Sequence, residues 1–352
     1  MNVELYHLIA FLISVTVVLW SIPDVKNIGL KFGIVDKPNS RKIHNKPVVR
    51  VGGISIFAGT IIALLIVWRL GAFSHLSLEQ EWELWGVTLG GIAFFLIGLA
   101  DDLFNLSPIL RLVLQLLVAS ACWYVGVRID FVSLPMLGLL HLDWLSLPIT
   151  VIWLAGMANA INWIDGVDGL AAGVSGIAAI VLFIVSLFMN QADAAIIAAA
   201  LAGGALGFLR YNFNPAQIFM GDGGAYFMGF TLAGISVIGL VKTAAVTGVL
   251  LPYLILAVPI LDMSAVIVAR LSKGKSPFTA DKSHLHHWLL ESGISHRLTV
   301  LFIYALTLWV GTLALAFSRF PSGWGYASGA TVLLVYIGSQ VWRRRQQWKN
   351  KQ

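Results

Sequence analysis

The sequence predicts an all-α, polytopic membrane protein of about 11 transmembrane helices, with the N-terminus outside and the C-terminus cytoplasmic. Three observations carry this. Of 352 residues 58% are hydrophobic and only 11% charged, and the mean hydropathy of +0.85 lies far above that of soluble domains. Apolar stretches of the roughly 20 residues a helix needs to cross a bilayer recur from Tyr6 to Trp342. The basic residues gather in alternate connections between those stretches.

The expected spans, in order, are about 5–22, 54–73, 84–100, 109–127, 145–161, 168–189, 193–210, 223–240, 246–269, 298–318 and 323–342. The first, Leu5–Trp20, has no basic residue before it and no small-residue cleavage site after it, so it reads as a retained span. Cys122, the only cysteine, falls inside an apolar run; disulfides within the chain are excluded and the residue reads as a small core side chain. No tandem or inverted repeat is apparent, so 1–352 reads as one integral-membrane domain.

With the N-terminus outside, nineteen of the twenty-three basic residues fall on the inner side, leaving Arg69, Arg128, Lys242 and Arg319 outside. The inner connections are then about 23–53, 101–108, 162–168, 211–222 and 270–297, with a cytoplasmic tail at 343–352. The net charge of +6 therefore reports topology and contact with membrane lipids, and nucleic acid is not an expected partner.

Sorted this way, five carboxylates converge on the inner face. Asp101 and Asp102 end the third span, Asp165 and Asp168 lie in Asn162-Trp-Ile-Asp-Gly-Val-Asp-Gly169, and Asp222 lies in Phe219-Met-Gly-Asp-Gly-Gly224. Like charges held together at a low-dielectric boundary repel by several kcal/mol unless a cation or proton relieves them. All-oxygen ligands favour Mg²⁺, or Mn²⁺, over zinc. The glycines beside these acids leave backbone amides approachable, as a phosphate-binding turn requires.

Two basic connections complete the pattern. The first runs from Val35-Asp-Lys-Pro-Asn to Arg50-Val-Gly-Gly53 and mixes cations with turn formers, which suits a diphosphate or an anionic lipid head; Arg41, His44 and Arg50 are its candidate substrate contacts. The last contains His284-Leu-His-His287, three imidazoles in a basic setting, able to bind phosphate or metal. No cysteine or spaced fourth ligand accompanies them, so contact with pyrophosphate is preferred over zinc.

Together these stretches resemble the polyprenyl-phosphate N-acetylhexosamine-1-phosphate transferases, the superfamily of MraY, WecA and TagO. The resemblance rests on Val35 to Gly53, Asp101-Asp102, Asn162 to Gly169, Phe219-Met-Gly-Asp222 and His284-Leu-His-His287, and spans nearly the whole chain. The His-Xaa-His-His form is similar to the WecA and TagO branch, which implies UDP-N-acetylglucosamine as donor, with UDP-N-acetylgalactosamine as the alternative. The acceptor implied is undecaprenyl phosphate in a bacterial inner membrane, with a homodimer as one assembly the resemblance admits.

The resemblance further implies Asp222 as a Mg²⁺ ligand with Asn162 beside it, and Asp101 and Asp102 as the catalytic acids, served by His284, His286 and His287. Asp165 and Asp168 would bind the nucleotide or ribose, and Phe219 would stack on uracil. Relatives often carry Lys shortly after the acidic pair; here Leu103 and Ile109 stand in the candidate places and Arg111 is the nearest cation. The reaction implied is attack of a lipid phosphate oxygen on the sugar-bearing phosphorus with expulsion of UMP, directly or through an aspartyl intermediate. A secondary transporter, lipid flippase or noncatalytic scaffold would also explain the hydrophobicity. A transporter site is expected near the bilayer midplane, whereas these acids sit at helix ends.

Overall fold

The computed structural model describes residues 3–36, 47–134, 138–241, 250–276 and 283–350. Thirteen α-helices are formed by these residues: α1 (Val3–Lys31), α2 (Gly53–Arg69), α3 (Leu78–Phe104), α4 (Pro108–Tyr124), α5 (Ser146–Ile164), α6 (Leu170–Phe188), α7 (Ala192–Asn212), α8 (Gly221–Ser236), α9 (Leu250–Ile255), α10 (Ala257–Leu271), α11 (Leu285–Glu291), α12 (His296–Phe317) and α13 (Gly323–Lys349). Seven of them are long and apolar enough to cross a membrane, and α2 and α4 are apolar but shorter. The protein is a helical, multi-pass membrane protein.

Two differences from the expected spans have physical causes. The first span does not stop at 22: α1 continues through Pro23 to Lys31, because a helix leaving the membrane needs backbone hydrogen bonds but no apolar side chains. The expected span at 246–269 is not one helix. α9 ends at Ile255, Leu256 has φ −103° and ψ 15°, and α10 starts at Ala257 with Pro259 in its first turn, where the missing N–H breaks no helical bond.

α8 lies at the centre. Every residue from Gly223 to Ser236 is buried, as an apolar helix surrounded by others must be. α3 packs on it through the stacked rings of Phe94 and Phe230, 4.4 Å between centroids. α7, whose sequence is largely alanine and glycine, is enclosed by α1, α2 and α6; small side chains let helices approach where lipid gives no hydrophobic drive to associate. Cys122 is buried with Sγ 3.5 Å from the Gly86 carbonyl, the core role its sequence context indicates.

The ends of α1, α3, α5, α7, α10 and α13 meet the starts of α2, α4, α6, α8, α11 and α12 on one face. Capping sets the α3–α4 corner. Asn105 takes a left-handed conformation (φ 51°) and closes α3, and Ser107 caps α4 by accepting from Leu110 N at 3.2 Å, with Pro108 next. On the same face β1 (Val35–Asp36) pairs antiparallel with β2 (Val48–Val49). On the opposite face β3 (Phe131–Leu134) pairs with β4 (Gly138–His141) as a hairpin between α4 and α5.

Candidate active site

The segment after β2 is sewn to the turn before α8. Phe219 N donates to Val49 O at 2.7 Å, Gly52 N to Phe219 O at 2.9 Å and Gly53 N to Met220 O at 2.8 Å. This brings Arg50 over the end of α3, where its guanidinium donates to the Asp102 carbonyl. Gly221 has φ +76°, and a Cβ there would lie 2.7 Å from Asp102 Oδ2, so only glycine lets the turn come this close. Asp102 Oδ2 in turn accepts from Gly223 N at 3.0 Å, which locks the start of α8, and with it Asp222, against α3.

The α3–α4 corner places Arg111 beside the acids. Its guanidinium pairs with Asp101 and reaches Asp222 Oδ2 at 3.4 Å. From α5, Asn162 Nδ2 donates to Asp222 Oδ1 at 2.7 Å. Asp101, Asp102, Asp222, Asn162 and Arg111, drawn from four helices, thus form one cluster in which a single cation spans two carboxylates. Hard oxygen donors and one planar guanidinium are groups able to take a cation or a phosphate. Among the described residues, no three of His, Cys, Asp and Glu form a metal cage of their own.

Asp165 and Asp168, which share a motif, occupy different places. Asp165 follows the end of α5 and lines the cavity described below; burial first, then the charges of Asp102 and Asp168, push its carboxyl up to about 7. Asp168 points into the connection between α7 and α8, where Oδ2 accepts from Asn214 Nδ2 at 3.0 Å and from Ala216 N at 2.9 Å. Asn212 adds a second tie, accepting from Gly169 N at 3.0 Å and donating to Ile218 O at 2.9 Å. Phe219 is half-buried. Arg41 and His44 lie outside the described residues.

The histidines come to the same place. His284, His286 and His287 line a cavity of about 510 Å³ together with Arg111, Asn162 and Asp165, and its other walls include Pro108, Leu112, Gly156, Tyr226, Met263 and Ile267. His284 and His286 are nearly parallel, 5.4 Å between centroids. His286 is 2% exposed, and among the described residues its Nε2 has no hydrogen-bond partner. Burial, and then the neighbouring His287 and His284, hold it down to about 3, so it is neutral at working pH.

Three lining or supporting residues were not singled out from the sequence. Arg270 is buried and its guanidinium stands 4.9 Å over the Trp163 ring, and both line the cavity. Asp262, on α10, meets His284 Nδ1 at 2.7 Å. Its signal was a lone carboxylate inside an apolar stretch.

A family model described as glycosyl transferase family 4 matches residues 84–240, which include the acids, Arg111 and Asn162 but not Arg50, Asp262 or the histidines. The chain is 38% identical over 300 residues, 85% of this chain and 81% of the relative, to a probable undecaprenyl-phosphate N-acetylglucosaminyl 1-phosphate transferase of Bacillus subtilis. The chain belongs to the polyprenyl-phosphate N-acetylhexosamine-1-phosphate transferase superfamily. A decaprenyl-phosphate N-acetylglucosaminephosphotransferase of Mycolicibacterium smegmatis is 34% identical over 82% of this chain and 76% of its own length. An undecaprenyl-phosphate alpha-N-acetylglucosaminyl 1-phosphate transferase of Haemophilus influenzae is 32% identical over 88% of each. These matches reach well beyond 84–240, and so does the cavity, whose walls from α4 and α5 are completed by the histidines after α10.

Proposed function

We propose that the protein transfers N-acetylglucosamine 1-phosphate from UDP-N-acetylglucosamine to undecaprenyl phosphate at the cytoplasmic face of a bacterial inner membrane, releasing UMP. One observation carries the proposal. A single cavity changes from Arg111, Asn162, Asp165 and three histidines to Pro108, Leu112, Gly156, Met263 and Ile267. Such walls suit two anionic reactants, one soluble and one carried on an apolar chain. The relatives' names support the sugar and the lipid. The cytoplasmic placement is supported by Lys31, Arg50, Arg111, Arg210, Arg270 and Arg297, all on the site's face.

Mg²⁺, or Mn²⁺ in its place, fits the residues present. Arg111 spans Asp101 and Asp222, and carboxylates held this close favour added positive charge. Asn162 spends its Nδ2–H on Asp222 and keeps Oδ1. Asp222 and Asn162 would hold the ion, which typically takes only one or two carboxylates and fills its sphere with water and phosphate oxygens. When bound it neutralises charge on the donor diphosphate.

The chain's own residues divide the remaining work. Asp102 is committed to the Gly223 amide and positions Asp222. Asp101, facing Arg111, is left to orient or deprotonate the lipid phosphate. A lipid phosphate oxygen forms a bond to the sugar-bearing phosphorus as that phosphorus loses its bond to the UMP oxygen, and the bond from sugar to phosphate stays intact. Asp165 faces the nucleotide, while Asp168 holds the wall behind it. Purified protein supplied with Mg²⁺, undecaprenyl phosphate and a panel of UDP-sugars should release UMP only when lipid is present, and fastest from UDP-N-acetylglucosamine. Absence of UMP release from every donor would contradict the proposal.

A further inference from the structure

Asp262 belongs to none of the motifs. It precedes Arg270 by eight residues on α10, which at 1.5 Å per residue sets it about 12 Å further into the bundle. A carboxylate at that depth is costly unless paired, and here both oxygens are used. Oδ2 lies 2.7 Å from His284 Nδ1, and Oδ1 accepts from Leu285 N at 2.8 Å. The two side chains are 7% and 8% exposed. His284 and Leu285 are therefore tied to α10 at Asp262, at two consecutive residues.

We propose that Asp262 is a positioning residue for the transfer reaction: it accepts a hydrogen bond from His284 Nδ1–H, fixes the ring, and leaves Nε2 to face the phosphates of the nucleotide sugar. This rests on the reading of the cavity as the site of a UDP-sugar. An ionised carboxylate only accepts hydrogen bonds, so a 2.7 Å contact with Nδ1 requires the proton on that nitrogen. With Nδ1 committed, Nε2 is the ring atom left for a ligand, and His284 lines the cavity. An imidazole with a carboxylate on one nitrogen and a phosphate oxygen on the other carries a proton on each, and so donates to the phosphate.

The surroundings hold the ring in place. Trp163 of α5 meets it edge-on at 6.1 Å, and His286 of α11 lies nearly parallel to it. Among the described residues, the other charged or titratable groups lining the cavity are His287 on α11, Arg270 on α10, Arg111 on α4, Tyr226 on α8 and Asp165 from the connection after α5. Among these, Asp262 is the group bonded to both His284 and the next backbone amide. Losing it would free the ring's tautomer and its orientation together.

Asp262→Asn is the test, because an amide of the same shape has one oxygen for the Leu285 amide and must then turn its NH₂ toward Nδ1. In ¹⁵N spectra of histidine-labelled protein, with His284 assigned by its loss in His284→Gln, the wild type should show a protonated Nδ1 and Asp262→Asn an unprotonated one. Turnover should fall about 10- to 100-fold, the usual size for a residue that orients a binding group, with KM for undecaprenyl phosphate unchanged. The double variant with His284→Ala should be no slower than His284→Ala alone.

An unprotonated Nδ1 in the wild type overturns the proposal, and so do losses that multiply in the double variant. The wild-type spectrum decides the matter even if Asp262→Asn does not fold. If the wild type released no UMP from any donor, the reaction assigned to the cavity would fall, while the tautomer measurement would still stand on its own.

Discussion

Replacing Arg111 by alanine should make the protein depend on a divalent cation for stability as well as for turnover. The guanidinium touches both Asp101 and Asp222. At the 3.4 Å separation from Asp222, two unit charges attract by about 5 kcal/mol at an effective dielectric of about 20. Removing one partner of a buried ion pair typically costs about 3–5 kcal/mol. With the Arg111 side chain 24% exposed, solvent screens part of this, and a net loss of about 2–3 kcal/mol is expected. The cost arises from two carboxylates left facing each other, so a cation bound between them should restore much of it. Thermal unfolding in detergent, with EDTA or with Mg²⁺, reads both effects. Arg111→Ala should melt lower than the wild type in EDTA and gain more from Mg²⁺ than the wild type does. Equal Tm in EDTA, or a Mg²⁺ gain no larger than that of the wild type, would refute the electrostatic account of the cluster.

Gly98→Ala should cost stability and turnover together, because its Cβ would lie 2.4 Å from the Asp222 carbonyl and overpacking costs about 1–3 kcal/mol or more; thermal melting and UMP release check this. Gly166→Ala would place a Cβ 2.7 Å from His286 Nε2, so KM for the UDP-sugar should rise while Tm changes little. Burial holds His286 down to about 3 against 6.5 unfolded. The unfolded chain therefore binds the extra proton first, and stability present above pH 6.5 is lost as pH falls toward 3, at up to about 1.4 kcal/mol per pH unit. His286→Asn should flatten that part of the Tm–pH curve. Tyr304→Phe removes the hydroxyl that donates to the Gly169 carbonyl and should cost about 1 kcal/mol with little change in turnover.

Which of these features were legible in the sequence follows from their physics. Apolar stretches such as 168–189 and 298–318 announce themselves, because a bilayer demands continuous apolar length. The reach of α1 to Lys31 was not legible, since outside the membrane a helix needs no hydropathy signal. The break at Leu256 left one trace, Pro259, which marks a first turn as readily as a kink. Asp101, Asp102, Asp222 and Asn162 could be grouped because helix alternation alone brings their ends to one face. Asp168 could not be separated from Asp165, because its tie to Asn214 and Ala216 exists only once two connections meet. Asp262 has no motif around it, and its meaning appears only when His284 descends to it.

The central claim is that sugar and phosphate move together. The most direct measurement uses UDP-N-acetylglucosamine labelled with ³H in the sugar and ³²P in the sugar-bearing phosphate, incubated with Mg²⁺, undecaprenyl phosphate and the purified protein. Both labels should enter the lipid fraction in their starting ratio, with unlabelled UMP in the aqueous phase. Transfer of ³H alone with release of labelled UDP, or no lipid-bound label at all, would contradict it.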